Sequence, residues 1–142
     1  REDTLQGDIA FVDILEKTGV QVGFSSSGIT AVGKQNLQGG KFDFNDISDT
    51  FLTLAAVAPL LDGTTTITGI GHTRKQETDR IRAMANELRK LGQGVEETAD
   101  SLTIHPDIEK LKFQIILIQM TGLKMKDLVS SNLKELIKLL VY

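Results

Sequence analysis

The feature that most constrains the fold is an internal echo at a fixed offset. Leu15, Lys17, Gly19, Val22, Ile29 and Thr30 recur as Leu88, Lys90, Gly92, Val95, Leu102 and Thr103, each pair 73 positions apart. Both stretches carry the pattern of a helix, a glycine stop, a strand, a turn and a second strand. A glycine just past a helical stripe is the common way for an α-helix to end. The same offset carries an expected strand at Phe42–Phe44 onto Ile115–Leu117, and an expected helix start at Asp49 onto Gly122. Duplicated α/β units of this size predict an α+β fold in which helices pack against mixed β-sheets.

The pattern between the echoes fills in the rest. Residues 8–18 suit a helix, and Gln21–Ser25 and Ile29–Val32 suit two strands around Gly28. FLTLAAVAPLL, within 49–61, is an apolar helix with Asp46, Ser48 and Asp49 as candidate caps and Pro59 in its last turn. TTTITGI at 64–70 is β-branched and alternating, hence a strand. Thr73 and Gln76 have capping-box spacing, and Ile81, Met84, Ala85, Leu88 and Leu91 form one apolar stripe ahead of Gly92. Strands are expected at 94–98 and 102–104, a buried strand at Phe113–Ile118, and an amphipathic helix at Lys126–Leu140.

Composition narrows the function classes. Sixteen basic against nineteen acidic residues give a net charge of −3, without the basic surplus of a nucleic-acid module. The chain has no cysteine, which excludes thiolate metal sites and cysteine catalysis. Its two histidines, His72 and His105, are far apart in sequence, so no histidine metal cluster is expected. No stretch has the run of about 20 apolar residues that a membrane helix needs.

Chemistry concentrates in GIGHTRKQETDR, residues 69–80, where a strand runs into a helix. If the helix starts at the Thr73 capping box, Gln76 and Arg80 lie one turn apart and Glu77 shares a face with Arg80. Free N–H groups of the first turn, with Arg74, Lys75 and Arg80, would make an anion site. A carboxylate among such cations can move a proton on a bound anion. An ordinary solvated helix start gives the same sequence. Asp49 after its strand reads either as an N-cap or as a carboxylate at a strand's carboxyl end, where open α/β sheets hold ligands. His72 is either a ligand contact from the loop or a surface histidine.

Several motifs, in order, resemble the EPSP synthase family (3-phosphoshikimate 1-carboxyvinyltransferases). They are LQGD at 5–8, DFNDISDTFLTLAAVAPLLDGTTTITGI at 43–70, RKQETDRIRAMANELRKLG at 74–92 and VEETADSLTI at 95–104. The resemblance implies transfer of the enolpyruvyl group of phosphoenolpyruvate to shikimate 3-phosphate, with no cofactor and in the cytoplasm. It assigns Asp49 to the shikimate hydroxyls and to proton transfer. It assigns Glu77 as general acid/base at the enolpyruvyl methylene carbon, and Arg80 to the phosphoenolpyruvate side. His72, Lys75 and Gln76 fall at substrate-binding positions, His72 where the family often has asparagine and Gln76 where it has lysine. After Lys112 the family's Asp-His-Arg segment is missing. The whole of 1–142 therefore resembles part of the family's C-terminal domain, with 113–142 as a divergent tail. Its partners would be the two small anionic substrates, with no nucleic acid or membrane and with some self-association through uncovered sheet edges. The expected outcome is an enolpyruvyl transferase fragment with little turnover of its own. The alternative is a non-catalytic binding or assembly module on the same fold.

Overall fold

A computed structural model describes residues 7–75 and 78–121 of the chain. Helix α1 (Gly7–Lys17) leads into the hairpin β1 (Gln21–Ser25) and β2 (Gly28–Val32). Strand β3 (Lys41–Asp43) is followed by a 3-10 turn, Ser48–Thr50, and then α2 (Phe51–Val57). Strand β4 (Thr65–Thr68), a 3-10 helix over Gly71–Lys75 and α3 (Arg80–Lys90) come next. The hairpin β5 (Gly94–Glu97) and β6 (Ser101–His105) and the helix α4 (Ile108–Thr121) complete the described part.

The echo is a structural repeat. At the same offset α1 maps end to end onto α3, and β2 onto β6. The hairpin registers coincide: Val22 faces Ala31 as Val95 faces Ile104, and Gly23 faces Thr30 as Glu96 faces Thr103. Each helix ends in a Schellman turn on a left-handed glycine, Gly19 at φ 100° and Gly92 at φ 78°. The closing bonds match too. Gly19 N–H donates to Glu16 C=O at 2.9 Å and Val20 N–H to Leu15 C=O at 3.1 Å; Gly92 to Arg89 and Gln93 to Leu88 have the same lengths.

The larger sheet is mixed, in the order β3-β4-β6-β5, with β3 parallel to β4 and the other pairs antiparallel. One core lies beneath it. Phe42, Ile67, Leu102 and Ile104 from the sheet meet Phe44, Phe51, Leu54 and Ala55 from the α2 region, and Ile81, Met84, Ala85 and Leu88 from the expected stripe of α3. The α+β expectation, with helices on mixed sheets, therefore holds.

Three expectations need correction. The apolar helix is shorter than 49–61: α2 stops at Val57 and continues as a 3-10 turn over Ala58–Leu60, because Pro59 has no N–H to donate to the turn before it. Asp49 is not its N-cap, since that position is Thr50 and makes no side-chain cap bond. Phe113–Ile118 is not a buried strand but part of α4. An apolar run of that length suits either state, and here a helix start decides it: the Asp107 carboxylate accepts the Lys110 N–H at 3.0 Å. Leu111 and Ile115, four apart, face the core, while Phe113, Ile116 and Leu117 are exposed. The repeat thus breaks after β6, because α4 stands where the offset would place a copy of β3. The expected helix at 126–140 lies outside the described residues.

No helix among the described residues is long and apolar enough to cross a membrane. Exposed apolar side chains of the kind that self-association would use lie on the β1–β2 hairpin (Phe24, Ile29, Val32) and on α4.

Candidate active site

The parallel pairing of β3 and β4 builds the site. Lys41, Phe42 and Asp43 lie beside Thr66, Ile67 and Thr68, so both strands leave the sheet at the same edge. The segments that follow them, Ser48–Thr50 and Gly71–Lys75, are therefore neighbours. The His72 Nε2 lies 2.6 Å from the Ser48 Oγ. From the start of α3, Arg80 Nη1 donates to Asp49 Oδ1 at 3.1 Å. Asp49, His72 and Arg80 thus converge from three places in the sequence onto the carboxyl end of a parallel strand pair, where α/β sheets tend to hold ligands.

The Asp49 side chain is 80% exposed and that of Arg80 35%, so the pair opens to solvent. At that exposure its worth to stability is small, and both side chains keep hydrogen-bonding groups open to solvent. A carboxylate accepts hydrogen bonds from a polyol, and the remaining guanidinium donors can hold a carboxylate or phosphate. Lys75 is exposed at the end of its 3-10 helix and forms no ion pair among the described residues. Gln76 and Glu77 lie outside the described residues.

The geometry corrects two parts of the sequence reading. The helix does not begin at the Thr73 capping box. Thr73 is buried, and its hydroxyl donates to the Ile70 C=O at 2.6 Å. The N-cap is Asp79, with extended backbone (φ −69°, ψ 91°) and a carboxylate that accepts the Arg82 N–H. Arg80 is therefore the first residue of α3, and the expected pairing with Glu77 lies outside the described residues.

Arg74 is also not an anion ligand. Its guanidinium donates to both oxygens of Asp79 at 3.0 and 2.7 Å, to Glu97 Oε2 at 3.0 Å, to the Ala99 C=O at 3.2 Å and to the Thr98 C=O. Burial opposes its charge, but the hydrogen bonds it donates to Glu97 and Asp79 outweigh that, and its pKa rises above the ordinary value. The cation is consumed in docking the Gly71–Lys75 segment onto the β5–β6 hairpin.

Asp100, between the strands expected at 94–98 and 102–104, performs a similar task. Its carboxylate accepts the N–H groups of Gly69 at 3.2 Å and Gly71 at 2.6 Å. Glycine suits this passage: Gly69 has φ 75°, and a Cβ there would lie 2.5 Å from Asp43 Oδ1. Ser48 was read as a cap and instead meets His72. The signal for both lay in long-range pairing, which local spacing does not show.

Two N-cap aspartates give the fold an acid limit. Asp79 is held below the usual carboxylate range chiefly by the Arg82 N–H, with help from Arg74, and Asp107 chiefly by the Lys110 N–H. A carboxyl group whose pKa is lower folded than unfolded stabilises fully above its unfolded value, about 3.9, and that stabilisation drains away as pH falls through the folded value. The thermal midpoint should therefore drop on going from pH 5 to pH 3, and drop less in the Asp79→Asn/Asp107→Asn double variant. An equal drop in both proteins would contradict this assignment.

The layout is that of an α+β domain whose polar groups at one sheet edge suit small anions. The family model described as EPSP synthase (3-phosphoshikimate 1-carboxyvinyltransferase) matches residues 1–117. Over 104 residues the chain is 54% identical to a 3-phosphoshikimate 1-carboxyvinyltransferase of Opitutus terrae, a match covering 73% of this chain and 21% of that protein. Over 105 residues it is 45% identical to the 3-phosphoshikimate 1-carboxyvinyltransferase of Nostoc punctiforme, covering 74% of this chain and 25% of that one. Its fold is similar to the 2.37 Å structure of EPSP synthase from Acinetobacter baumannii, with a TM-score of 0.55, 25% identity, and coverage of 68% of this chain and 24% of that one. The chain belongs to the EPSP synthase family. It spans about a quarter or less of the length of the curated relatives it matches, 21–25% in the two cases above.

Proposed function

We propose that this chain supplies part of the substrate site of a cytoplasmic enolpyruvyl transferase, and that it does not turn over by itself. The reaction moves the enolpyruvyl group of phosphoenolpyruvate to the 5-hydroxyl of shikimate 3-phosphate. The hydroxyl oxygen adds to the enolpyruvyl carbon while the methylene carbon takes a proton; phosphate then leaves and that carbon gives a proton back. The observation that carries this reading is the Asp49–Arg80 pair beside His72, in a chain of this family. Asp49 receives the shikimate hydroxyls and a proton, and Arg80 holds the phosphoenolpyruvate side. Glu77 serves the methylene carbon, and His72, Lys75 and Gln76 contact the substrates. An ion pair this open to water cannot exclude solvent, so the reactants are held too loosely for chemistry.

Isothermal titration tests this. Shikimate 3-phosphate is expected to bind with a Kd of about a millimolar, about −4 kcal/mol, and at least about fivefold more weakly to Asp49→Ala. With both substrates present, phosphate release should stay at the uncatalysed background. Binding that is unchanged in Asp49→Ala would contradict the site, and phosphate release well above background would contradict the inactivity.

A further inference from the structure

Helix α4 is apolar on two opposite sides. Leu111 and Ile115 face the core and are 0% and 7% exposed. At about 100° per residue, Phe113 lies half a turn round from that face, with Ile116 beside it. These two are 58% and 51% exposed. A surface helix carries one apolar stripe, and a helix that is apolar on more than one side belongs in an interior. The repeat offers no cover for the second side, because α4 stands where the offset would place a copy of β3 and has no counterpart in the first copy.

The sequence that follows supplies a cover of the right kind. Gly122 comes directly after the last residue of α4, the position where glycine ends helices. Residues 122–125 then equal in length the loops of about two to five residues that join antiparallel helices. The amphipathic helix expected at 126–140 carries Val129, Leu133, Leu136 and Ile137 on one stripe. Its length is close to the 14 residues of α4. Two helices rise equally per residue. A second helix running back from that loop therefore brings Val129 and Leu133 level with Ile116, and Leu133 and Ile137 level with Phe113. A helix of about 15 residues is marginal alone in water, so such a segment needs an apolar face to pack on.

We propose that the face of α4 carrying Phe113 and Ile116 is the docking site of the chain's own segment 126–140, which packs on it as the second helix of an antiparallel hairpin. A short linker holds its segment at an effective concentration of about millimolar. In dilute solution that exceeds the concentration of any second copy, so the cover comes from the same chain.

The test is paramagnetic broadening in the whole chain. The sequence has no cysteine, so Lys138→Cys and Ser131→Cys each accept a single nitroxide label. Both positions lie away from the apolar stripe by helical spacing. The label at 138 should broaden the amides of Glu109 and Lys110 most, and the label at 131 that of Ile116. Leu133→Asp/Leu136→Asp should abolish the broadening at Glu109 and Lys110 and leave the Leu111 and Ile115 resonances in place. Amide exchange at 133–137 should be at least about tenfold slower in the unmodified chain than in that double variant. Three results would overturn the proposal. One is no broadening of α4 from position 138. Another is broadening that persists in the double variant. The third is broadening that arises only between a labelled and an unlabelled chain in a mixture, which would mean that a second copy covers the face.

Discussion

Arg74→Ala is expected to destabilise the fold by about 2–4 kcal/mol, a large share of the roughly 5–15 kcal/mol that holds a domain together. The Arg74 side chain is only 20% exposed and holds the carboxylates of Asp79 and Glu97 and the carbonyls of Thr98 and Ala99. Its removal leaves Glu97, 18% exposed, with Arg89 at 3.5 Å as its remaining cation among the described residues. It also frees the segment that carries His72 from the β5–β6 hairpin. Arg74→Lys should recover only part of the loss, since one ammonium cannot span the partners of a planar fork. Urea unfolding of the three proteins measures this. A midpoint unchanged in Arg74→Ala would show that the guanidinium is a bystander.

Phe44→Ala should cost about 3–5 kcal/mol, the range for deleting a buried aromatic ring. Phe44 is fully buried, packs its ring at 6.3 Å and 57° from that of Phe11, and receives the Ile47 N–H on its carbonyl. Its own N–H donates to Thr68 C=O at 2.9 Å. It therefore pins the turn between β3 and Asp49 to the core and to β4 at once. Thermal unfolding gives the stability loss, and the Arg80 side-chain resonances report whether the ion pair survives in whatever fraction stays folded. A loss below about 1 kcal/mol would mean that the turn is held by its backbone alone.

Much of the fold was legible because its signals are local. A left-handed glycine after a helical stripe marks both Schellman turns, and the two hairpins follow at equal distances from them. The apolar stripe of α3 is the core stripe. What failed were choices between two local signals. Thr73 with Gln76 and Asp79 are both sound helix starts, and Asp79 wins because its carboxylate both caps Arg82 N–H and binds Arg74. The run IILIQ suits strand or helix, and the Asp107 cap settles it. The site was legible as residue types but not as a grouping. Asp49, His72 and Arg80 meet only because β3 lies parallel to β4, and nothing in either strand's sequence names its partner. The same blindness concealed Asp100 and Ser48, and it made Arg74 look available when two other segments, at Asp79 and at Glu97–Ala99, already claim it.

The most direct measurement is an amide-resolved NMR titration of the whole chain with shikimate 3-phosphate. The account predicts shifts confined to Ser48–Thr50, His72 and the Lys75–Arg80 stretch, lost in Arg80→Ala when phosphoenolpyruvate is the second ligand. No shift at these positions at millimolar ligand, or shifts centred elsewhere on the chain, would contradict it.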